Sequence, residues 1–320
     1  MIEAQDIVET RLDAGSGGTI VDAVVVSYNS REHLRASVGV LAELDGVRTI
    51  VVDNASVDGA AESISDLPVT IIRRADNGGF ARACNEGMAA GSAPYVLFVN
   101  PDALISESTL RPLVDALERA PELGAVAPRI EHPDGRLAFS LRRFPDLVST
   151  YAQALYLHRL FPHAAWATEV VTDDASYLRA HLPEWVSGAC ILTRRATMEE
   201  IGGWDERFFL YCEDTDLCLR LREAGHPVAF EPGALVVHEE GASSNPALTV
   251  PMLAEAKLRY AETHETHARA AAYRVALVVW SATRAVLARG GKAERRGHAR
   301  ALRALLRPRK TGTGLRTALR

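Results

Sequence analysis

Four apolar runs in the first hundred or so residues each end in a polar turn, and this repeat limits the architecture more than any other feature. Residues 22–27 (DAVVVS) run into Tyr28-Asn29-Ser30, and an amphipathic helical pattern follows to about Leu44. Residues 49–52 run into Asp53-Asn54-Ala55-Ser56, with Asp58 close behind. Residues 69–73 lead to Asn77-Gly78-Gly79-Phe80-Ala81-Arg82 and a helical stretch through Asn85 to Ala90. Residues 96–99 (VLFV) end in Asn100-Pro101-Asp102. Apolar runs without alternation suit strands buried on both faces, as in a parallel sheet. Strands alternating with helices at this spacing predict βαβ units, an α/β fold and a mostly parallel central sheet. The polar turns then share the carboxyl edge, where open α/β sheets bind ligands. The first strand–helix junction contains no glycine, and Gly78-Gly79 is not a G-x-G-x-x-G fingerprint, so a dinucleotide oxidoreductase is disfavoured.

At that edge Asp102 offers a hard oxygen donor, suited to Mg²⁺ or Mn²⁺ holding a diphosphate. Taken alone it equally closes a Pro-Asp turn. A second acidic group, Glu213, Asp214 and Asp216, opens a helix predicted over residues 217–224 and stopped by Gly225. Acids in a first turn are stabilised by the positive end of the helix dipole, so capping alone accounts for them. The preceding Phe208, Phe209 and Tyr211 add something else. Aromatic walls exclude water from a carboxylate and raise its pKa toward that of a general base.

Six segments in order carry a family resemblance: Val25-Val26-Ser27-Tyr28-Asn29, Val51-Val52-Asp53-Asn54-Ala55-Ser56, Asn77-Gly78-Gly79-Phe80, Asn100-Pro101-Asp102, Trp185-Val186-Ser187-Gly188-Ala189, and Gly203-Trp204-Asp205 through Glu213-Asp214. Over residues 21 to about 240 the chain resembles family-2 glycosyltransferases of the GT-A fold. Asn-Pro-Asp in place of the commoner Asp-x-Asp resembles the rhamnosyltransferases that build cell-envelope polysaccharide linkers. The resemblance implies that Asp53 contacts the donor's pyrimidine, that Ser27 and Asn29 lie beside the nucleotide, and that Asn77 and Arg82 lie near base or diphosphate. Asn100 takes the first acidic place of the motif, without its charge, and Asp102 the metal-binding place. His238 matches a histidine that holds metal or diphosphate in some relatives; as a lone histidine after a strand it is also an ordinary loop residue. Asp214 matches the general base, and Glu213 an acidic residue that contacts the acceptor.

The implied reaction is a single, inverting displacement from a nucleotide-sugar, dTDP-rhamnose favoured, to a polyprenyl-diphosphate-linked saccharide. One base suffices, unlike the carboxylate pair of glycosidases. Another donor sugar, such as a UDP-hexose or galactofuranose, is the alternative. A non-catalytic membrane scaffold of the same fold is the alternative of another class, disfavoured by the intact Asp102 and Glu213-Asp214. Trp185 and Trp204 are candidates to stack on an acceptor sugar, and equally candidates for the core. The stretch of residues 141–183, rich in aromatics and containing Arg142, Arg143, His158 and Arg159, is the least readable: the resemblance implies a region that shapes the acceptor site, and the residues alone favour ordinary packing of an inserted helical segment.

The net charge of −5 hides a split: residues 269–320 carry 14 basic side chains and one acidic, while the rest carries 22 and 40. In this terminal segment Val275, Val279, Trp280, Val286 and Leu287 share one predicted helical face, with Arg274, Ser281 and Arg289 toward the other. A second helix after Gly290-Gly291 aligns Arg296, Arg300, Arg303 and Arg307. No apolar run is read as approaching the roughly 20 residues of a spanning helix. The expectation is an interfacial anchor on an anionic membrane, preferred over a solvated tail and over nucleic-acid binding. The domain reading is a loose tail over residues 1–20, a GT-A domain over 21–250 (nucleotide half 21–130, acceptor half 131–250) and a helical membrane-associating segment over 251–320. Cys84, Cys190, Cys212 and Cys218 form no C-x-x-C pair and read as reduced core thiols. With no signal peptide read at the start, the expected location is cytoplasmic, peripheral on the inner face of the plasma membrane, and a homodimer stays open.

Overall fold

The computed structural model describes residues 19–162, 164–239, 245–287 and 291–307. Most of the expected N-terminal tail, together with Arg289, lies outside the described residues. The chain runs through β1 (Val21–Ser27), α1 (Arg31–Glu43), β2 (Val47–Asp53), β3 (Thr70–Arg73), α2 (Phe80–Ala89), β4 (Tyr95–Val99), β5 (Ala103–Leu104), α3 (Glu107–Arg119) and β6 (Ala125–Glu131). It continues through β7 (Leu141–Arg142), α4 (Leu147–Ala154), β8 (Trp185–Val186), β9 (Cys190–Arg194), α5 (Arg195–Glu200), α6 (Glu213–Glu223) and β10 (Val228–His238). Three further helices follow: α7 (Pro246–His264), α8 (His267–Leu287) and α9 (Gly291–Leu306).

One sheet of order β3-β2-β1-β4-β9-β6-β10-β5 organises the molecule. Neighbours β3, β2, β1 and β4 are parallel, as are β6 and β10. The exceptions are β9, antiparallel to β4 and β6, and β5, antiparallel to the end of β10. The sheet is therefore mostly parallel. Every residue of β1 and β4 is buried, because helices cover both faces, and that is why these strands read as unbroken apolar runs. On one face Leu34, Leu41, Leu110 and Leu117 form the core; on the other, Phe98, Trp204, Leu217 and Phe230 do. The charge inside β1, Asp22, is fully buried and is met by Arg48 and Arg195, each at 2.7 Å. Burial alone would raise its pKa; Arg48, the Ala93 N–H and Arg195 hold it below the usual carboxylate value. All four cysteines are free and buried.

Asn245 caps α7 by accepting from the Ala247 N–H at 3.0 Å, with Pro246 in the first turn. Helix α7 packs on α9 and α8, and α8 packs on α4, around Ala254, Leu258, Leu277, Ala301 and Leu305. Polar ties fix this layer to the sheet unit: His264 to Asp216 at 2.7 Å, Lys257 to Glu169 at 2.8 Å, and the Tyr273 hydroxyl to the Pro145 carbonyl at 2.8 Å. Two expectations need correction. Helix α8 has 21 residues and is, among the described residues, long and apolar enough by length and composition to cross a membrane. Ser281, placed by the sequence toward the polar side, is fully buried, whereas Val275, Val286 and Leu287 are exposed. The reason is tertiary: α8 turns Ala270, Tyr273, Ala276, Leu277 and Ser281 toward its neighbours, so its inward stripe is chosen by packing rather than by hydrophobicity alone. The arginines at 296, 300, 303 and 307 are exposed.

Candidate active site

The loop before α6 carries two consecutive non-glycine residues in the left-handed region, Tyr211 (φ 71°) and Cys212 (φ 62°). Such conformations cost of order 1–3 kcal/mol each and persist only where the surroundings enforce them. Here Phe208 and Cys212 pack against Ala256 and Tyr260 of α7. The kink delivers Glu213 and Asp214 onto the first turn of α6. Asp214 is oriented by two backbone donors: the Gly188 N–H at 3.0 Å to Oδ2, and the Thr215 N–H at 2.8 Å to Oδ1. A Cβ at position 188 would stand 3.2 Å from the Asp214 Cβ, so a larger residue there would press on the Asp214 side chain. Burial raises the Asp214 pKa, opposed by the Gly188 and Thr215 N–H groups. Glu213 is buried with no hydrogen-bond partner for Oε2; burial first and the Asp214 charge second push its pKa well up. The third acid, Asp216, is a structural tie, held by Arg220 and His264 at 2.7 Å each.

A second polar cluster forms at the carboxyl ends of β2, β4 and β10. Pairing of β5 with the end of β10 sets His238 opposite Ala103 and brings the His238 Nε2 to 3.0 Å from Asp102 Oδ1. The Asn100 amide nitrogen lies 3.4 Å from the same ring nitrogen. A carboxylate oxygen and an imidazole nitrogen at this spacing fit a divalent cation. Among the described residues no group of three or more His, Cys, Asp or Glu gathers to hold a metal, so most coordination positions would fall to diphosphate oxygens and water. Asp53, at the end of β2, is buried with Oδ1 unpaired, an acceptor available to an N–H donor.

Other residues singled out from sequence shape loops. Asn29 sits at φ 51°, and its Oδ1 accepts from the Val57 N–H at 2.9 Å; Ser27 Oγ is 2.8 Å from Ser30 Oγ. Asn77 Oδ1 accepts from the Gly79 N–H at 3.0 Å. Arg82 is partly exposed, 4.0 Å from Glu206. Trp185 donates through Nε1 to the Arg143 carbonyl at 2.8 Å and lies across the β7–β8 pair from Arg142. Trp204 is a correction: it is 1% exposed and wedged edge-on between Phe80 and Phe98, at 5.6 and 5.1 Å, so its ring cannot stack on a sugar.

Sequence reasoning gave Asn54 no role of its own and named Arg142 only as part of the 141–183 stretch. Asn54 clamps the glycine pair, donating to the Gly79 carbonyl at 3.1 Å and accepting from the Gly78 N–H at 3.3 Å. Its position directly after Asp53 was the available signal. Arg142 has a buried Nε without a partner, its guanidinium 5.8 Å from the Trp185 ring centre, and its charge pulls the Asp214 pKa down. The two halves of the site are joined at Gly79 (φ 89°), where the Phe80 N–H donates to the Phe209 carbonyl at 2.8 Å and an added Cβ would meet that oxygen at 2.5 Å.

A sheet of this order, its ligand edge closed by a loop that bears paired carboxylates, is the GT-A fold of nucleotide-sugar transferases. The chain belongs to the family described as glycosyl transferase family 2, whose profile matches residues 22–186, and it is a glycosyltransferase. It is 32% identical over 241 residues to the N-acetylglucosaminyl-diphospho-decaprenol L-rhamnosyltransferase of Mycobacterium tuberculosis (strain ATCC 25618 / H37Rv), covering 70% of this chain and 78% of that one. It is 28% identical over 236 residues to the pre-mycofactocin glycosyltransferase of the same strain, covering 73% of this chain and 45% of the relative. Among solved structures, the mannosyltransferase PcManGT from Pyrobaculum calidifontis, in complex with GDP-Man and Mn²⁺, superposes with a TM-score of 0.52 at 18% identity, covering 91% of this chain and 81% of that one. This last likeness speaks to the fold alone.

Proposed function

We propose that this enzyme moves L-rhamnose from dTDP-rhamnose, with inversion, onto a polyprenyl-diphosphate-linked N-acetylglucosamine or similar saccharide, at the cytoplasmic face of a membrane. The observation that carries the mechanism is Asp214: a carboxylate with a raised pKa, fixed by two backbone N–H groups at the mouth of a helix. The kinship with a rhamnosyltransferase supports the choice of sugar and acceptor. Asp53 would accept the imide N–H of thymine, a contact that uracil offers equally. Asp102 and His238 would hold Mg²⁺ or Mn²⁺, which when bound neutralises charge growing on the departing diphosphate. Asp214 takes the proton from the acceptor hydroxyl as that oxygen attacks the anomeric carbon from the face opposite the leaving group. Glu213, its pKa raised by burial and then by the Asp214 charge, would contact the acceptor beside the base. The left-handed turn at Tyr211 and Cys212 keeps both acids in place without help from substrate.

The test is a donor panel with purified enzyme and polyprenyl-diphosphate N-acetylglucosamine: dTDP-rhamnose, UDP-glucose, UDP-galactofuranose and GDP-mannose, each with and without chelator. Product formation from dTDP-rhamnose, abolished by chelator, restored by Mg²⁺ or Mn²⁺, and showing an inverted anomeric centre by NMR, is expected. Preferred turnover of a UDP-sugar would replace the donor assignment, and full activity in chelator would remove the metal from Asp102 and His238.

A further inference from the structure

A cationic group between α4 and the two last helices takes no part in the proposed reaction. Arg284 of α8 donates through Nη2 to the Gln153 carbonyl at 2.9 Å. Its guanidinium carbon lies 4.5 Å from the centre of the Tyr156 ring and 5.0 Å from that of Trp280. Arg159 also covers Tyr156, at 4.4 Å. The His158 ring is stacked 6.1 Å from Tyr156, and His298 of α9 meets Trp280 edge-on at 4.6 Å. Within this chain of ring contacts four buried polar atoms have no hydrogen-bond partner: Arg284 Nη1, His158 Nδ1, His298 Nδ1 and the Tyr156 hydroxyl. Buried polar atoms are ordinarily paired, and an orphan costs about 1–3 kcal/mol, so the unpaired donors along this run of contacts favour an anionic partner. Among the described residues Glu294 faces the group, 3.8 Å from His298 Nε2, and partly offsets the lowering of the His298 pKa. Burial, and then the Arg284 charge, hold both histidines below their ordinary range, His298 at about 4.

The surroundings narrow the occupant. Leu155 and Leu160 flank Tyr156–Arg159 in the loop, Phe161 follows with its ring 5.3 Å from Trp166, and Val286 and Leu287 follow Arg284 on α8. All six of these apolar side chains are exposed. Anionic oxygens satisfy guanidinium, hydroxyl and imidazole donors, and an acyl boundary accommodates exposed leucines and aromatics. We propose that the group formed by Arg159, Arg284, His158, His298 and Tyr156 is a binding site for the phosphate of an anionic bilayer lipid, collared by these apolar side chains. This site is separate from the Asp102 and Asp214 clusters and does not rest on the donor assignment.

The experiment is flotation of the full chain with phosphatidylcholine vesicles, with and without phosphatidylglycerol. Variants are Arg159→Glu, at an exposed position and with its melting compared with the parent, and Arg303→Glu, which changes the charge equally on the exposed α9 stripe. Wild type is expected to prefer the anionic vesicles, Arg159→Glu to weaken that binding by about tenfold or more, and Arg303→Glu to weaken it much less. The imidazole ¹⁵N signals of His158 and His298 should move toward the protonated form with short-chain phosphatidylglycerol. Equal losses in the two variants would mean diffuse attraction and overturn the site. Inorganic phosphate binding as tightly as the lipid would overturn the lipid assignment. So would an Arg159→Glu defect confined to neutral vesicles doped with polyprenyl diphosphate, which would give the site to the acceptor.

Discussion

Asp214 and Asp216 stand two residues apart on α6, and their surroundings give them different partners. Asp216 has both oxygens claimed, by Arg220 and His264, whereas Asp214 is held by backbone N–H groups that orient it without neutralising it. Asp214→Asn should keep the shape and donor affinity, and lower transfer by roughly 10²–10⁴-fold, as loss of a positioned base does; stopped assays with calorimetry of donor binding would check this. Burial gives Glu213 a stability signature as well. In the unfolded chain it ionises near its ordinary value of 4.5, while the folded state holds the proton to higher pH. The folded state then binds more protons across that window, so stability falls as pH rises from about 4.5 through the folded pKa. Glu213→Gln should therefore melt higher than the parent at neutral pH, by a margin that shrinks to nothing in acid; calorimetric scans across pH would show it. Residue types and position made Asp102 and the acids at 213, 214 and 216 candidates in the sequence, and the family resemblance singled out Asp214 and His238. The clamp by Asn54 and the burial of Trp204 were not visible, because each depends on a segment far along the chain.

At the scale of elements, the glycine loop at Gly78-Gly79 and the loop before α6 form one unit. Gly79 at φ 89° lies against the Phe209 carbonyl, so Gly79→Ala combines a left-handed alanine with a backbone clash. It should cost on the order of 1–3 kcal/mol and weaken donor binding and transfer together; denaturant titration and donor calorimetry would test the coupling. The last helices carry a pH response of opposite sign. His298 is buried neutral on α9, its pKa pushed down to about 4 from 6.5. The unfolded chain binds the proton first, so stability is lost as pH falls from 6.5 to about 4. His298→Gln should flatten that part of the pH profile, read by helical circular dichroism. The strand periods of β1 and β4 were legible because burial on both faces leaves an unbroken apolar run. The facing of α8 was not, since three neighbouring elements compete for it.

For the whole molecule, the C-terminal helices are part of the packed structure in addition to any membrane role. Helix α8 covers α4, α9 covers α7, and Tyr273 and Thr283 bond backbone carbonyls on the α4 side. Removing residues 267–320 should uncover Leu147, Leu258 and their neighbours and give aggregated protein; a soluble truncated chain with unchanged melting would contradict this packing. By itself the sequence determined the α/β class and the family, and it singled out the acids proposed to carry the chemistry, because period, turn residues and motif order are local properties. Tertiary structure decided which partner each of those groups has. The Asp102–His238 pair spans 136 residues and exists because β5 turns back onto β10. Arg284 meets Tyr156, and Gly79 meets Phe209, because the fold sets distant segments in contact, and no local pattern encodes which distant segment arrives.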